Sequence, residues 1–320
     1  MSVTTRKTTL YLILIALFTF VPVHGQVIKT IWNIGFFEAG DYPSNSKFRE
    51  HFRDQLTAAL PEGYEVVFVP QGFKSADWNR DSSRTMAAGL VADRSVDLVV
   101  TMGPWTVEDL LEAGFDRPVV AAFRFDPMAE GLTDSLGRPI ADNLTVRIRP
   151  GKLESDIRVL TSLTTVGRLG FLSFPSVYEP SLMLEKLRQL GKMYQFEVVT
   201  AEGYDNEGTY AFFKAYREID KNIDALYLPP LWGCDATKMR NFYAQALHDG
   251  IAVMSSGGEY DVSQGAFAAG SGESVRVTSA CHVWKVKRII QGTVPADLPT
   301  MVPDFAGVCV SEFAASLFGI

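Results

Sequence analysis

Two tryptophans have the spacing that points most directly to chemistry. Trp105 lies eight residues after Asp97 and Trp232 lies eight after Asp224, so the two pairs share one offset of 127 residues. Each indole follows an apolar run broken by proline, at Pro104 in one case and at Pro229 and Pro230 in the other. Two indoles facing each other would sandwich a planar or apolar group, each adding ~0.5 to 1.5 kcal/mol beyond burial. The alternative is that each packs under its own loop. Arg124 follows the run VVAAF at a strand end, where its guanidinium would fork a ligand carboxylate or else pair with Asp126 or Glu130. Ser255, Ser256, Gly257 and Gly258 offer hydroxyls and open backbone N–H groups to a carboxylate, although a glycine turn explains them equally well. Glu259 and Asp126 are carboxylates for a ligand ammonium group, with helix capping and surface solvation as the competing roles. Phe37, Phe174, Tyr178 and Tyr260 are strand-end aromatics, and Met102, Gly103 and Pro230 complete the candidate lining.

These residue types bind; they do not suggest a reaction. His51, His248 and His282 are scattered without metal-ligand spacing, and the chain has neither a Gly-x-Ser-x-Gly elbow nor a phosphate-binding glycine loop. No catalytic residue, metal or cofactor is expected.

The elements that must position this set are strand, loop, helix and strand units, and one such unit occurs twice. The stretch from Asp93 to Asp126 and the stretch from Asp220 to Tyr260 each open on Asp, a cation, Ser or Asn, an aliphatic residue and Asp. An apolar run follows, Leu98 to Val100 and Ala225 to Leu228, of the kind buried on both faces of a parallel sheet. A repeat this long indicates duplicated domains, not a solenoid. Around them the pattern predicts strands over 28–36, 64–69, 168–173, 196–200 and 307–310. Helices are predicted over 47–60, 152–163, 179–193, 210–219 and 275–291. The fold class is α/β, with two similar Rossmann-like lobes joined by hinge crossings. The segments 131–150 and 264–274 lack a strong period and read as crossings. Residues 26–145 plus 275–298 are expected to form lobe 1, and 146–274 plus 299–320 lobe 2. Ligands bind beyond the carboxyl ends of such strands, so the loops that carry these candidate residues would meet across a cleft.

Arg6 and Lys7, the apolar run Leu10 to Phe20, and Val23-His24-Gly25 read as a secretory signal peptide over 1–25, with an uncleaved N-terminal anchor as the alternative, which implies a periplasmic or otherwise exported protein. The net charge of −7, from 30 Lys and Arg against 37 Asp and Glu, disfavours a nucleic-acid partner. Cys234, Cys281 and Cys309 are odd in number and far apart, which permits at most one disulfide and fits free thiols. Asn143-Leu144-Thr145 matches a glycosylation sequon, but the asparagine is better suited to tying backbone together in a crossing.

Four pieces of the chain, VDLVVT, FDPMAEGLTDSLGRPIADNLTV, IDALYLPP and GAFAAG before a helix, resemble the ABC transporter substrate-binding family of the tryptophan and aromatic-amino-acid type. The likeness spans about 27–320 and is strongest over 93–303. It implies the type I periplasmic binding protein fold, with a small organic ligand captured by hinge closure and delivered to an ABC permease. A signalling receptor that senses the closed form is the alternative partner. The chain departs from the family at Met102-Gly103-Pro104-Trp105, where a small-residue loop is usual, so the ligand implied by the resemblance need not be an aromatic amino acid.

Overall fold

The computed structural model describes residues 29–173, 181–203, 209–230, 233–270, 274–302 and 307–320. Two sheets carry the chain. The first holds β1 (Thr30–Glu38), β2 (Tyr64–Ser75), β3 (Leu98–Met102), β4 (Val119–Ala122) and β5 (Leu144–Thr145) in the order β2-β1-β3-β4-β5, all parallel. The second holds β6 (Arg168–Ser173), β7 (Glu197–Glu202), β8 (Ala225–Leu228), β9 (Ala252–Ser255), β10 (Ala268–Gly270) and β11 (Val308–Val310) in the order β11-β10-β9-β8-β6-β7. Only β11 runs antiparallel to its neighbour.

The doubled apolar runs sit where their composition requires. Leu98 and Val100 face one side of the first sheet with Ile34, Phe36, Met102 and Val120, while Val99 faces the other with Phe37, Val119 and Ala121. Helices cover both faces, which is why these strands lack a polar alternation. Helix α1 (Pro43–Ala59) and a long helix over Val275–Ile290 pack together on the first of these faces.

The repeated aspartates explain the repeated lead-in. The Asp97 carboxylate accepts from Asn33 N–H at 2.7 Å, and Asp224 accepts from Gly167 and Arg168 N–H, each at 2.8 Å. In both lobes an aspartate just before one strand satisfies the orphan N–H groups where the central strand beside it begins.

Several expectations shift in detail. Helix α1 begins at Pro43, four residues before the expected start at 47, because proline suits the first helical turn. Strand β2 runs on to Ser75 past a register shift opposite Ile34 and Phe36. The segment 264–274, read as a crossing, contains β10. Its run of alanine and glycine hides the strand, and the reason is local: Asp156 lies so close to Gly270 that no Cβ fits there. Asn143 ties down the loop before β4, donating to the Phe115 and Arg117 carbonyls at 2.8 and 2.9 Å, and not the crossing. No disulfide joins the cysteines.

The lobes are linked near Ile148, whose backbone pairs with Thr300 and Val302. Lys285, on the long helix, clamps this place. Its ammonium donates to Thr145 Oγ1 (2.9 Å), Val146 O (2.7 Å) and Pro299 O (2.8 Å). Burial holds its pKa down to about 8, from an ordinary 10.5. Between these values the unfolded lysine keeps a proton that the folded one has lost, so stability rises with pH through this window. The contribution is on the order of 3 kcal/mol. Lys285→Met is expected to abolish that rise in urea melts from pH 7.5 to 10.5, and an unchanged slope would refute the assignment.

Candidate functional site

The carboxyl ends of the two sheets face each other, and a cleft of about 880 Å³, counting its open mouth, lies between them. From the first lobe come Tyr42 and Ser44 at the start of α1, and Ala121, Phe123, Arg124 and Phe125 at the end of β4. The crossing contributes Arg147 and Arg149. The second lobe supplies Pro230 after β8 and Ser256, Gly257 and Gly258 after β9, while Val275, Thr278 and His282 come from the long helix.

The lobes touch around this cleft. Tyr42 belongs to the first lobe by chain position, yet its ring is part of the second lobe's core, and Trp78 packs against the same core. The Lys47 ammonium lies 5.9 Å from the centre of the Tyr260 ring. Asp126 and Lys186 form a 2.8 Å ion pair between the lobes, at a second cavity beside the crossing.

Beneath the Gly257 backbone lies Asp261, fully buried in the short helix Glu259–Ser263. One of its carboxylate oxygens accepts from Ser255 Oγ, and the Asp261 side chain fills the space a Cβ at position 257 would need. Burial raises its pKa to about 6, opposed by the hydroxyls of Ser255 and Tyr243. His282 shows the opposite effect: burial, then the positive charges of Lys285 and Arg147, push its pKa well below the usual range and keep the imidazole neutral. Its Nδ1 and the Ser256 hydroxyl make no hydrogen bond within the protein.

Of the residues expected at the site, Arg124, Pro230 and Ser256 line the cleft. Arg124 is nevertheless committed elsewhere. Its guanidinium donates to Glu130 (2.6 Å), Glu108 (2.6 Å) and the Gly103 carbonyl (2.7 Å), which leaves no open fork for a ligand carboxylate. Phe37 and Met102 are corrected to core positions on opposite faces of the first sheet, since alternation turns strand residues into the layers and not beyond the strand end. Trp105 is 9 % exposed in a left-handed backbone conformation at the start of the helix Thr106–Glu112 and does not line the cleft. Gly103 contributes only its carbonyl, to Arg124 and Thr106. Ser255 is sealed against Asp261, Glu259 points to solvent, and Tyr260 sits under Lys47 outside the lining. Asp126 caps the turn that follows it, accepting from Met128 and Ala129, and borders a second cavity beside the crossing. Trp232, Phe174 and Tyr178 lie outside the described residues.

The sequence reasoning missed Tyr42, Arg147, Arg149, Thr278 and His282. For the two arginines a signal existed: alternate cations in a strand-like crossing, RIRP, lie on one side of the chain. Among the described residues no group of three or more His, Cys, Asp or Glu is placed to hold a metal ion.

No family model matches the sequence, and no curated relative matches it. Solved structures share its architecture. A conserved domain protein from Vibrio cholerae O1 biovar El Tor superposes with a TM-score of 0.74 at 18 % identity, covering 90 % of this chain and 95 % of that one. The fold is that of a type I periplasmic binding protein. An ABC domain from Streptococcus pneumoniae in complex with L-Trp gives 0.73 at 19 % identity, covering 91 % and 95 %. CD0873, a substrate-binding protein with adhesive properties from Clostridium difficile, solved open and ligand-free, gives 0.62 at 18 %, covering 90 % and 95 %.

Asp261 supplies a test of this geometry. Folded, the carboxyl keeps its proton up to about pH 6, whereas the unfolded one loses it near 3.8. The folded state therefore binds more protons in that window, and Asp261 costs stability as pH rises through it. Relative to wild type, Asp261→Asn is expected to gain on the order of 3 kcal/mol between pH 4 and pH 7 in urea melts. A constant difference across that range would show the carboxylate to be solvated.

Proposed function

We propose that this chain is an extracytoplasmic solute-binding protein that captures a small organic ligand by closing two lobes on it and presents the closed form to an ABC permease. The observation that carries the reading is Tyr42. A side chain rooted in the first lobe completes the core of the second at the rim of the cleft, so the two lobes are packed together beside it. The hinge bonds around Ile148 and Lys285 supply a pivot, and strand-end loops supply the walls.

In this reading residues 1–25 direct export. Lobe 1 spans 26–145 and 275–298, and lobe 2 spans 146–274 and 299–320. Among the described residues no helix is long and apolar enough to cross a membrane. The fold shared with an L-Trp complex supports a planar or amino-acid-like ligand, with Tyr42, Phe123 and Phe125 as ring walls. The role is binding without turnover.

The direct experiment is mass spectrometry of small molecules released when the purified protein is denatured, followed by titration of the refolded protein with the compound found. One ligand per chain and a smaller radius of gyration on binding, measured by X-ray scattering, are expected. If no compound in a broad metabolite panel contracts the protein, the capture mechanism is wrong.

The Asp126–Lys186 pair closes only when the lobes meet. Half-exposed ion pairs contribute ~0.2 to 1 kcal/mol, so Lys186→Glu is expected to weaken binding about two- to fivefold with the unfolding midpoint unchanged. Calorimetric titration checks this, and unaltered affinity would mean that the pair forms in the open state as well.

A further inference from the structure

We infer that the cavity beside the crossing is a second small-molecule site, separate from the cleft, that takes a neutral apolar molecule between the two lobes. The site is independent of what the cleft holds.

The cavity matches the cleft in scale, about 1030 Å³ against about 880 Å³, each counting its open mouth. Phe125 and Arg149 line both and form the wall they share. Both lobes build it. The first supplies the turn 125–128 after β4, and the crossing supplies 148–154. The second supplies one face of the helix Ser181–Tyr194, where Met183, Lys186, Leu190 and Met193 recur at helical spacing.

Met128, Ile148, Leu153, Met183, Leu190 and Met193 give the cavity an apolar lining. Three of these six are methionines, whose unbranched thioethers reshape around irregular apolar guests.

The polar groups of the lining are already engaged. The Lys152 ammonium donates to the Asp156 carboxylate at 2.7 and 3.0 Å, and the Tyr227 hydroxyl donates to it at 3.0 Å. Burial raises the pKa of that carboxyl, and Lys152, Tyr227 and Arg149 oppose the rise, so all three lining residues act on one buried acid. Asp126 and Lys186 pair with each other at 2.8 Å, while Glu154 and Gln189 are exposed. None of these lining residues leaves a buried side-chain nitrogen or oxygen without a hydrogen bond, whereas Ser256 and His282 in the cleft each leave one. A charged guest would lose its water here and find no vacant partner. An apolar guest loses nothing and gains burial, at roughly 25 cal/mol per Å². Because the walls belong to both lobes, such a guest binds this arrangement more tightly than one in which the lobes have parted.

The test uses the full chain with isotope-labelled methionine ε-methyl groups, unfolded in guanidinium and refolded to strip any carried molecule. It is titrated with toluene and followed by NMR. Saturable shifts are expected at Met128, Met183 and Met193, with Met86 and Met239 unmoved. Benzoate and benzylammonium, similar in size but charged, are expected to bind at those three methyls ten times or more weaker. Leu153→Glu is expected to weaken toluene at least tenfold and Leu153→Met to leave it within twofold, each checked by its unfolding midpoint. Should Leu153→Glu fail to fold, the comparison of toluene with its charged analogues on the unaltered chain decides. The inference is overturned if toluene gives no saturable shift at the three methyls or shifts only others. It is overturned too if a charged analogue binds there as tightly, or if a folded Leu153→Glu protein keeps full affinity. Each of those results leaves the capture reading intact, since that reading fails only if no solute closes the cleft.

Discussion

The relation of the two lobes depends on one buried ammonium group. Lys285 reaches three acceptors on two stretches that sequence keeps far apart, Thr145 and Val146 at the first crossing and Pro299 at a later one. Three donors on one nitrogen meet three acceptors, and this offsets much of the cost of burying the charge. Around that point the Ile148 backbone pairs with Thr300 and Val302, so the crossing strands share a short ladder. A pivot held by few bonds lets the two lobes turn about it. The first lobe's apolar clusters reach up to it, through Val146 and Ile148 on one face of the sheet and Leu298 on the other.

Much of the architecture was legible because each lobe states it locally. The lead-in aspartates Asp97 and Asp224 meet the same backbone need in both halves, and a need met by the nearest carboxylate leaves a fixed spacing in the sequence. The apolar runs that follow are short and unbroken because both of their faces are covered. β10 was less legible, since alanine and glycine carry little strand preference and that strand is set by its neighbours β9 and β11 and by Asp156 behind Gly270.

The site was legible in outline and poorly in detail. Reading loops at strand ends found Pro230, Ser256 and Arg124, because strand ends are fixed by the same local pattern. It misplaced Phe37 and Met102, which are the last inward-facing residues of their strands and serve the core. Arg124 went to Glu108, which no local pattern links to it. Tyr42, Arg147 and His282 reach the cleft from three separate places in the chain, one of them a helix that returns to the first lobe before β11 completes the second. Only the closure of the chain through its crossings brings these together.

The place of Tyr42 has a consequence for durability. Its phenol ring is a core residue of a lobe to which it is not joined along the strand order, packed where burial raises its pKa and the Asp261 charge raises it further. Whenever the lobes part, that socket fills with water and the second lobe loses a piece of its interior. Opening the cleft and beginning to unfold the second lobe are therefore the same first movement, and whatever holds the cleft shut also protects that lobe from proteases.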